Sequence, residues 1–235
     1  MQRVLISGTT DEEQNADLQK TITYLHKKGW QIALHACGDR MVDNTLDAYI
    51  ATMEEFPRED PRHYIIHSEL ITSASIKKAA QHHIGFSIQP TIDALLHPAY
   101  EDIKLVWGKD GSLGAEDMSP YKALFESVAN VAGGSDCPVI EPNWRQSVQD
   151  AITRKDVLGK PFNVSNAISV EDGIRMFTIN GAIQEKMEHV RGSIEVGKFA
   201  DLQVLQEDIL TADIDKIGQI EITMTIVNGD IVYSV

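Results

Sequence analysis

The chain has 235 residues, 43% of them hydrophobic, and its 35 acidic and 21 basic residues leave a formal net charge of −14. That composition supplies a sizeable core and excludes a mainly disordered chain; the acidic balance repels phosphate backbones and anionic membranes, so neither nucleic acid nor lipid is the expected partner. No apolar run reaches the ~20 residues of a membrane span, Met1 to Gly8 is too short for a secretory signal, and two cysteines make no disulfide framework, so the expected location is the cytoplasm.

Taken in chain order, helices and strands alternate. Val4 to Ser7 is a short extended segment or a strand. Asp11 to Lys28 carries Leu18, Ile22 and Leu25 at helical spacing and stops at Gly29. The apolar run Trp30 to Ala36 reads as a strand ending at His35, and Met41, Val42, Leu46, Tyr49, Ile50 and Met53 mark a second amphipathic helix. After the turn-rich Pro57 to Pro61 stretch, His63 to His67 is a strand. A helix over 73–82, a strand over 84–88 running into Gln89-Pro90, and an irregular 91–118 stretch follow. That stretch holds Pro98 and several glycines, and is long for a plain connection. Next come a helix over 120–130, a strand end at Val131 to Asp136, and helices over 145–154, 170–177 and 182–188. From Gly192 the period changes to that of strands, at 200–205, 220–226 and 231–233. Asn228-Gly229 is a two-residue hairpin signal, because both central positions need positive φ.

Strands separated by helices form βα units, and parallel strands need such crossovers. In (β/α) barrels chemistry sits at the C-terminal strand ends. His35, His67 and Asp136 all fall there, and neighbouring strands lie ~4.8 Å apart. Imidazole nitrogen and carboxylate oxygen suit zinc, iron or manganese. Spacing alone leaves open whether the three share an ion or are packed core and strand-end residues.

Longer motifs sharpen the reading. His35-Ala36-Cys37-Gly38-Asp39-Arg40, followed by Val42-Asp43, resembles the H-A-x-G-D-R-x-V-D motif of the YtcJ-like amidohydrolases. Arg62 to Leu70 resembles their R-H-x-I-E-H-x-Q-L segment, and Ser87 to Thr91 their S-x-Q-P-T. Gly134 to Val139 resembles G-S-D-x-P-V, and Ala151 to Arg154 the A-V-T-R that follows. Gly192 to Leu202 resembles the G-S-L-E-x-G-K-x-A-D-L entry to the family's β-sandwich. These matches run in order along nearly the whole chain.

The resemblance implies an α/β fold: the C-terminal half of a (β/α)8 TIM-type metallohydrolase barrel, followed by strands of a small β-sandwich. Residues 1–189 would carry strands five to eight and residues 190–235 the sandwich segment. His35 and His67 would hold metal or orient the attacked carbonyl. Asp136 would both bind metal, most simply Zn, and act as the catalytic residue that takes a proton from the attacking water and passes it to the leaving amine. The implied reaction is hydrolysis of a non-peptide carbon–nitrogen bond in a small amide-type substrate. Gln89 and Arg40 are candidates for the substrate pocket.

The sequence also departs from the pattern. No two histidines are separated by a single residue, so the family's strand-one H-x-H has no counterpart. The strand-four lysine or acid has none either. Ile66 replaces a usual glutamate, and Glu69 stands where glutamine is common. An N-terminal half chain, or a second copy of this one, is therefore an expected partner; a non-catalytic fragment is the competing reading. Cys37 and Cys137 read as buried apolar thiols, Asp39 as the cap of the helix that follows it. His82-His83, at a helix-to-strand junction, reads as structural, and His26, His97 and His189 show no partner pattern. A Rossmann-like binding module is a weak third reading, because no G-x-G-x-x-G follows any strand.

Overall fold

The structure is a computed structural model and describes residues 8–107, 118–127 and 129–235, without the side chains of 100–107. Val4 to Ser7, read above as a short extended segment or strand, lies outside the described residues.

Four strands form one parallel sheet in the order β1-β2-β3-β4: β1 (Ala33–Ala36), β2 (Tyr64–His67), β3 (Gly85–Ile88) and β4 (Val131–Gly133). Sheet order follows chain order, and pairing is in register from Ala33 opposite Tyr64 to Ala36 opposite His67. Each step along the sheet runs through a helix, as parallel pairing requires. The helix α1 (Asp11–Lys27) precedes β1, α2 (Asp39–Glu55) joins β1 to β2, and α3 (Ser73–Gln81) joins β2 to β3.

Local chemistry explains the boundaries. Thr10 and Glu13 close a capping box at the start of α1, which satisfies backbone donors that the first turn leaves free. Thr72 caps α3 by accepting from Ser75 N. Gly38, not Asp39, is the N-cap of α2 and provides no side-chain bond. Asp39 lies inside the first turn and its Oδ1 accepts from Arg40 N at 2.6 Å, so the expected cap is one residue misplaced.

The segment from 91 onward is not irregular as expected. It forms α4 (Pro90–Trp107), with Pro98 inside it; residues 108–117 are outside the described set. A mid-helix proline has no N–H and strands the carbonyl four residues back, here Ala94 O. That carbonyl is met by Val157 N–H at 3.1 Å. The turn that supplies Val157 is braced by Asp156, whose Oδ1 accepts from Leu158 N and Lys160 N, each at 2.9 Å. Asp156 also pairs with the buried His97 of α4 at 3.1 Å. A distant turn thus completes the helix where its own sequence cannot.

The α5 helix (Tyr121–Glu126) leads to β4, and α6 (Trp144–Thr153), α7 (Val170–Met176) and α8 (Ile179–Gln184) follow. Leu18, Ile22, Leu46, Tyr49, Ile65, Ile76, Ile84, Phe86, Val131 and Met176 pack into one buried core between the helices and the sheet. The last strands, β5 (Leu202–Leu205), β6 (Ile222–Val227) and β7 (Asp230–Ser234), make a separate antiparallel sheet in that order. Asn228 and Gly229 have φ of 52° and 89°, as the hairpin signal required. The tail docks through Ile217, which packs with Val148 in a second core, and through Gly218 N–H to Gln149 Oε1 at 2.8 Å. No described helix is long and apolar enough to cross a membrane.

Candidate active site

Three of the four parallel strands end in polar side chains that meet. His35 on β1 and His67 at the end of β2 face each other edge-on, ring centroids 4.5 Å apart. Asp136, three residues beyond β4, brings Oδ2 to 4.0 Å from His67 Nε2. The side chain of His67 is 8% exposed and that of Asp136 48%, so the pair stands at the mouth of the sheet with the carboxylate toward solvent.

The backbone is held in an unusual conformation there. His67, Ser68 and Asp136 have φ of 79°, 65° and 54°, a region that costs residues with a Cβ of order 1 kcal/mol or more and that persists where the surroundings impose it. The imposed contacts are identifiable. Ser68 N donates to Ala36 O, Leu70 N to Cys37 O and Gly134 N to Ile88 O at 2.9–3.0 Å, so each strand end is tied to its neighbour. Gly133 matters just before the turn: a Cβ there would lie 2.6 Å from Phe177 Cζ, so only glycine lets β4 run this close to the end of α7.

Burial and the nearby His35 ring lower the pKa of His67, against the opposing pull of Asp136, so the imidazole is neutral near pH 7 and keeps a lone pair. Its Nδ1 is buried without a hydrogen-bond partner and lies 3.7 Å from Glu69 Oε1. Burial, reinforced by Asp93, pushes the Glu69 carboxyl up to about 8. Behind it, Ser119 Oγ donates to Asp93 Oδ2 at 2.6 Å and Tyr121 donates to the same oxygen. The Arg154 guanidinium is fully buried, 4.4 Å from both the Tyr121 and Phe162 rings. Sequence reasoning missed this buried layer. Its only signals were Glu69 in place of a usual glutamine and Arg154 closing the A-I-T-R segment.

The other expected residues separate. Gln89 is buried, with Nε2 donating to Ser87 O at 3.1 Å and Oε1 without a hydrogen-bond partner, and with Asp136 it opposes the lowering of the His67 pKa. The Arg40 guanidinium pairs with Asp11 of α1 at 2.5 Å, and both side chains are exposed. The cysteines are not both buried as expected. Cys137 is exposed and Cys37 only half-buried, its Sγ 3.3 Å from His35 Nε2, and burial pushes that thiol's pKa up, which disfavours a thiolate.

Two imidazoles and a carboxylate are the right donors for a divalent ion, and Asp136 faces solvent. They do not enclose one unaided: among the described residues no group of three His, Cys, Asp or Glu side chains is gathered closely enough to hold an ion. The chemistry of the donors fits, and their number does not close a site.

Residues 1–233 match the model of the amidohydrolase family. The chain belongs to that family. It is 30% identical over 220 residues to YtcJ of Bacillus subtilis, covering 92% of this chain and 40% of YtcJ. It is 24% identical over 213 residues to the N-substituted formamide deformylase of Arthrobacter pascens, covering 88% of this chain and 37% of that one. Its fold is similar to the crystal structure of an uncharacterized metal-dependent hydrolase from Pyrococcus furiosus, with a TM-score of 0.65 at 22% identity over 84% of this chain and 38% of that one. The chain thus spans about two fifths of the length of these relatives.

Proposed function

We propose that this chain forms the C-terminal share of a metal-dependent hydrolase of non-peptide carbon–nitrogen bonds, with its four parallel strands serving as strands five to eight of a (β/α)8 barrel and its tail as part of a small β-sandwich. The observation that carries the reading is the approach of His35 to His67 and of His67 to Asp136 at the ends of β1, β2 and β4. His35, His67 and Asp136 would hold a divalent ion, zinc being the simplest choice, together with ligands from an N-terminal half on the same or another polypeptide. The ion would supply Lewis-acid polarisation of the amide carbonyl and a lowered pKa for the attacking water.

The chain's own groups have separate tasks. Asp136 accepts a proton at its carboxylate from the attacking water and delivers it to the leaving nitrogen; its solvent-facing position gives it access to both. His67 presents Nε2 toward Asp136, and Glu69 stands on its other nitrogen. Gln89, buried next to His67, fixes that side of the pocket. The N-substituted formamide deformylase relative makes an N-substituted formamide the first substrate to test. Location in the cytoplasm is part of the same proposal.

The test combines the chain with an N-terminal half that carries H-x-H and measures metal content and formamide hydrolysis. The expected outcome is a tightly held divalent ion and chelator-sensitive turnover from the pair, with Asp136→Asn abolishing turnover and leaving the unfolding transition in place. Retained turnover in Asp136→Asn would remove that residue from the mechanism. Neither metal nor turnover in the pair would favour the second reading, a non-catalytic fragment that folds against a partner or a second copy. Its support is the incomplete ligand set.

A further inference from the structure

The opposite end of the sheet carries a second pair of histidines that the hydrolase reading does not use. His26, in the last turn of α1, and His63, just before β2, are 0% and 1% exposed. Their nitrogens form one chain. Ile32 N–H donates to His63 Nδ1 at 3.0 Å, which makes that nitrogen an acceptor and places the ring proton on Nε2. His63 Nε2 lies 2.9 Å from His26 Nδ1, which must then accept. His26 Nε2, 2.7 Å from Phe56 O, can only donate, because a carbonyl has no proton to give. Both rings are therefore neutral Nε2–H tautomers and every ring nitrogen is engaged.

The chain joins four pieces of backbone: the end of α1, the residue before β1, the residue before β2, and the C-cap of α2. It sits beneath β1 and β2, the strands that carry His35 and His67 at their far ends. Tyr49 of α2 stacks on His63 with ring centroids 5.0 Å apart, and its hydroxyl donates to Ile32 O and Tyr64 O at 3.2 and 3.1 Å. The charged side chains that act on His63 are cations. Arg58 donates to His26 O, Gly29 O and Trp30 O, and Lys186, after α8, donates to Asp60 O; with His26 these are the neighbours that act on His63.

We infer that His26 and His63 are positioning residues, a proton-sensitive fastening that sets β1 and β2 at a common height beneath the candidate active site and releases them when either ring is protonated. An added proton on His63 Nδ1 would face the Ile32 N–H, and one on His26 Nδ1 would face the His63 N–H. Either turns an acceptor into a donor opposed to a donor, and no carboxylate is among the groups that act on His63. Burial foremost, and the neighbouring His26, Arg58 and Lys186 next, push His63 down to about 3, in the direction the geometry demands.

The linkage has a definite sign. A histidine lowered from its unfolded value near 6.5 adds stability that is fully present above that value and is lost as pH falls through it toward about 3. The whole chain, labelled with 15N-histidine, is followed from pH 8 to 5 by long-range 1H–15N correlation NMR, and its thermal unfolding is measured across the same range. The expected result is a folded-state His63 that stays a neutral Nε2–H tautomer throughout, and a Tm advantage of the parent over His63→Phe that narrows below pH 6.5, the raised carboxyls of Glu69 and Asp150 contributing alike to both chains. His63→Phe, which keeps the stacking on Tyr49, is expected to unfold at lower temperature at pH 7 and to take up about one proton fewer on unfolding at pH 5.5. His26→Gln, which retains one acceptor and one donor, is expected to keep more of the pH 7 stability than His63→Phe. A His63 that titrates near 6.5 while the chain remains folded, or a ring proton on Nδ1, would overturn the inference, and that reading needs only the unmodified chain. Equal proton uptake by the parent and His63→Phe would overturn it as well. None of these readouts involves metal or turnover, so the hydrolase proposal stands or falls separately.

Discussion

Asp150 shows how a single buried carboxyl writes itself into pH dependence. It lies on α6, 7% exposed, and accepts from Gln146 Nε2 at 2.8 Å. Burial outweighs that bond and raises it from 3.8 to about 6. Between those values the folded chain keeps a proton that the unfolded chain releases, so stability falls as pH rises through this window. Asp150→Asn is expected to flatten stability between pH 4 and 6 and to raise it at pH 7 by about 1 kcal/mol or more, roughly 2–4 °C in a chain of this size. Tm measured at pH 4.5 and 7 checks this, and an equal change at both pH values would contradict it. At the same scale, the legibility of the sequence was uneven. The placement of His35, His67 and Asp136 at strand ends could be read because strand ends are periodic and the motifs around them are local. The His26–His63 pair could not, since its members are 37 residues apart and nothing in either local pattern anticipates the other. The ion pair of Arg40 was illegible for a related reason: its partner Asp11 comes from the preceding helix.

At the scale of elements, α4 is the instructive failure. Propensity places a cost of about 3 kcal/mol on an interior proline, and that cost made residues 91–118 read as irregular. The structure resolves the conflict with a tertiary hydrogen bond, Val157 N–H to Ala94 O. Pro98→Ala would restore an N–H able to compete for that carbonyl. The expected gain in stability is therefore well below the full propensity difference, and the Val157 amide is expected to exchange with solvent faster. Hydrogen exchange of Val157 with a parallel Tm measurement decides it: a gain near 3 kcal/mol with Val157 still protected would show that the turn does not depend on this acceptor. The other helices and strands were legible to within a few residues because their caps and stops are local, Thr72 before α3 and Gly29 after α1 being examples. The Asn228-Gly229 turn was legible for the same reason.

The whole molecule divides its chemistry between the two ends of one sheet. The N-terminal end is bolted by His26 and His63 and by Arg62, which forms a two-bond pair with Glu188 at 2.7 and 2.8 Å. The C-terminal end is open, and much of the tail sheet is apolar and exposed, Ile231 and Val232 at 61% each. Patches of that kind mark surfaces that bind or aggregate. The chain by itself is expected to bind a hydrophobic dye and to self-associate in light scattering, and addition of an H-x-H-bearing half is expected to suppress both. Persistent dye binding by the combined chains would mean that the tail has some other cover.

The order of the sheet has one more consequence. Because neighbours in sequence are neighbours in space, His35 and His67 are set side by side by the backbone repeat of ~4.8 Å rather than by the reach of their side chains. The perch and its tenant are thus independent. Evolution can exchange a nitrogen donor for an oxygen donor at either strand end, or lengthen the loop beyond it, without re-aiming the partner, so a scaffold of this kind can change its reagent while leaving its frame untouched.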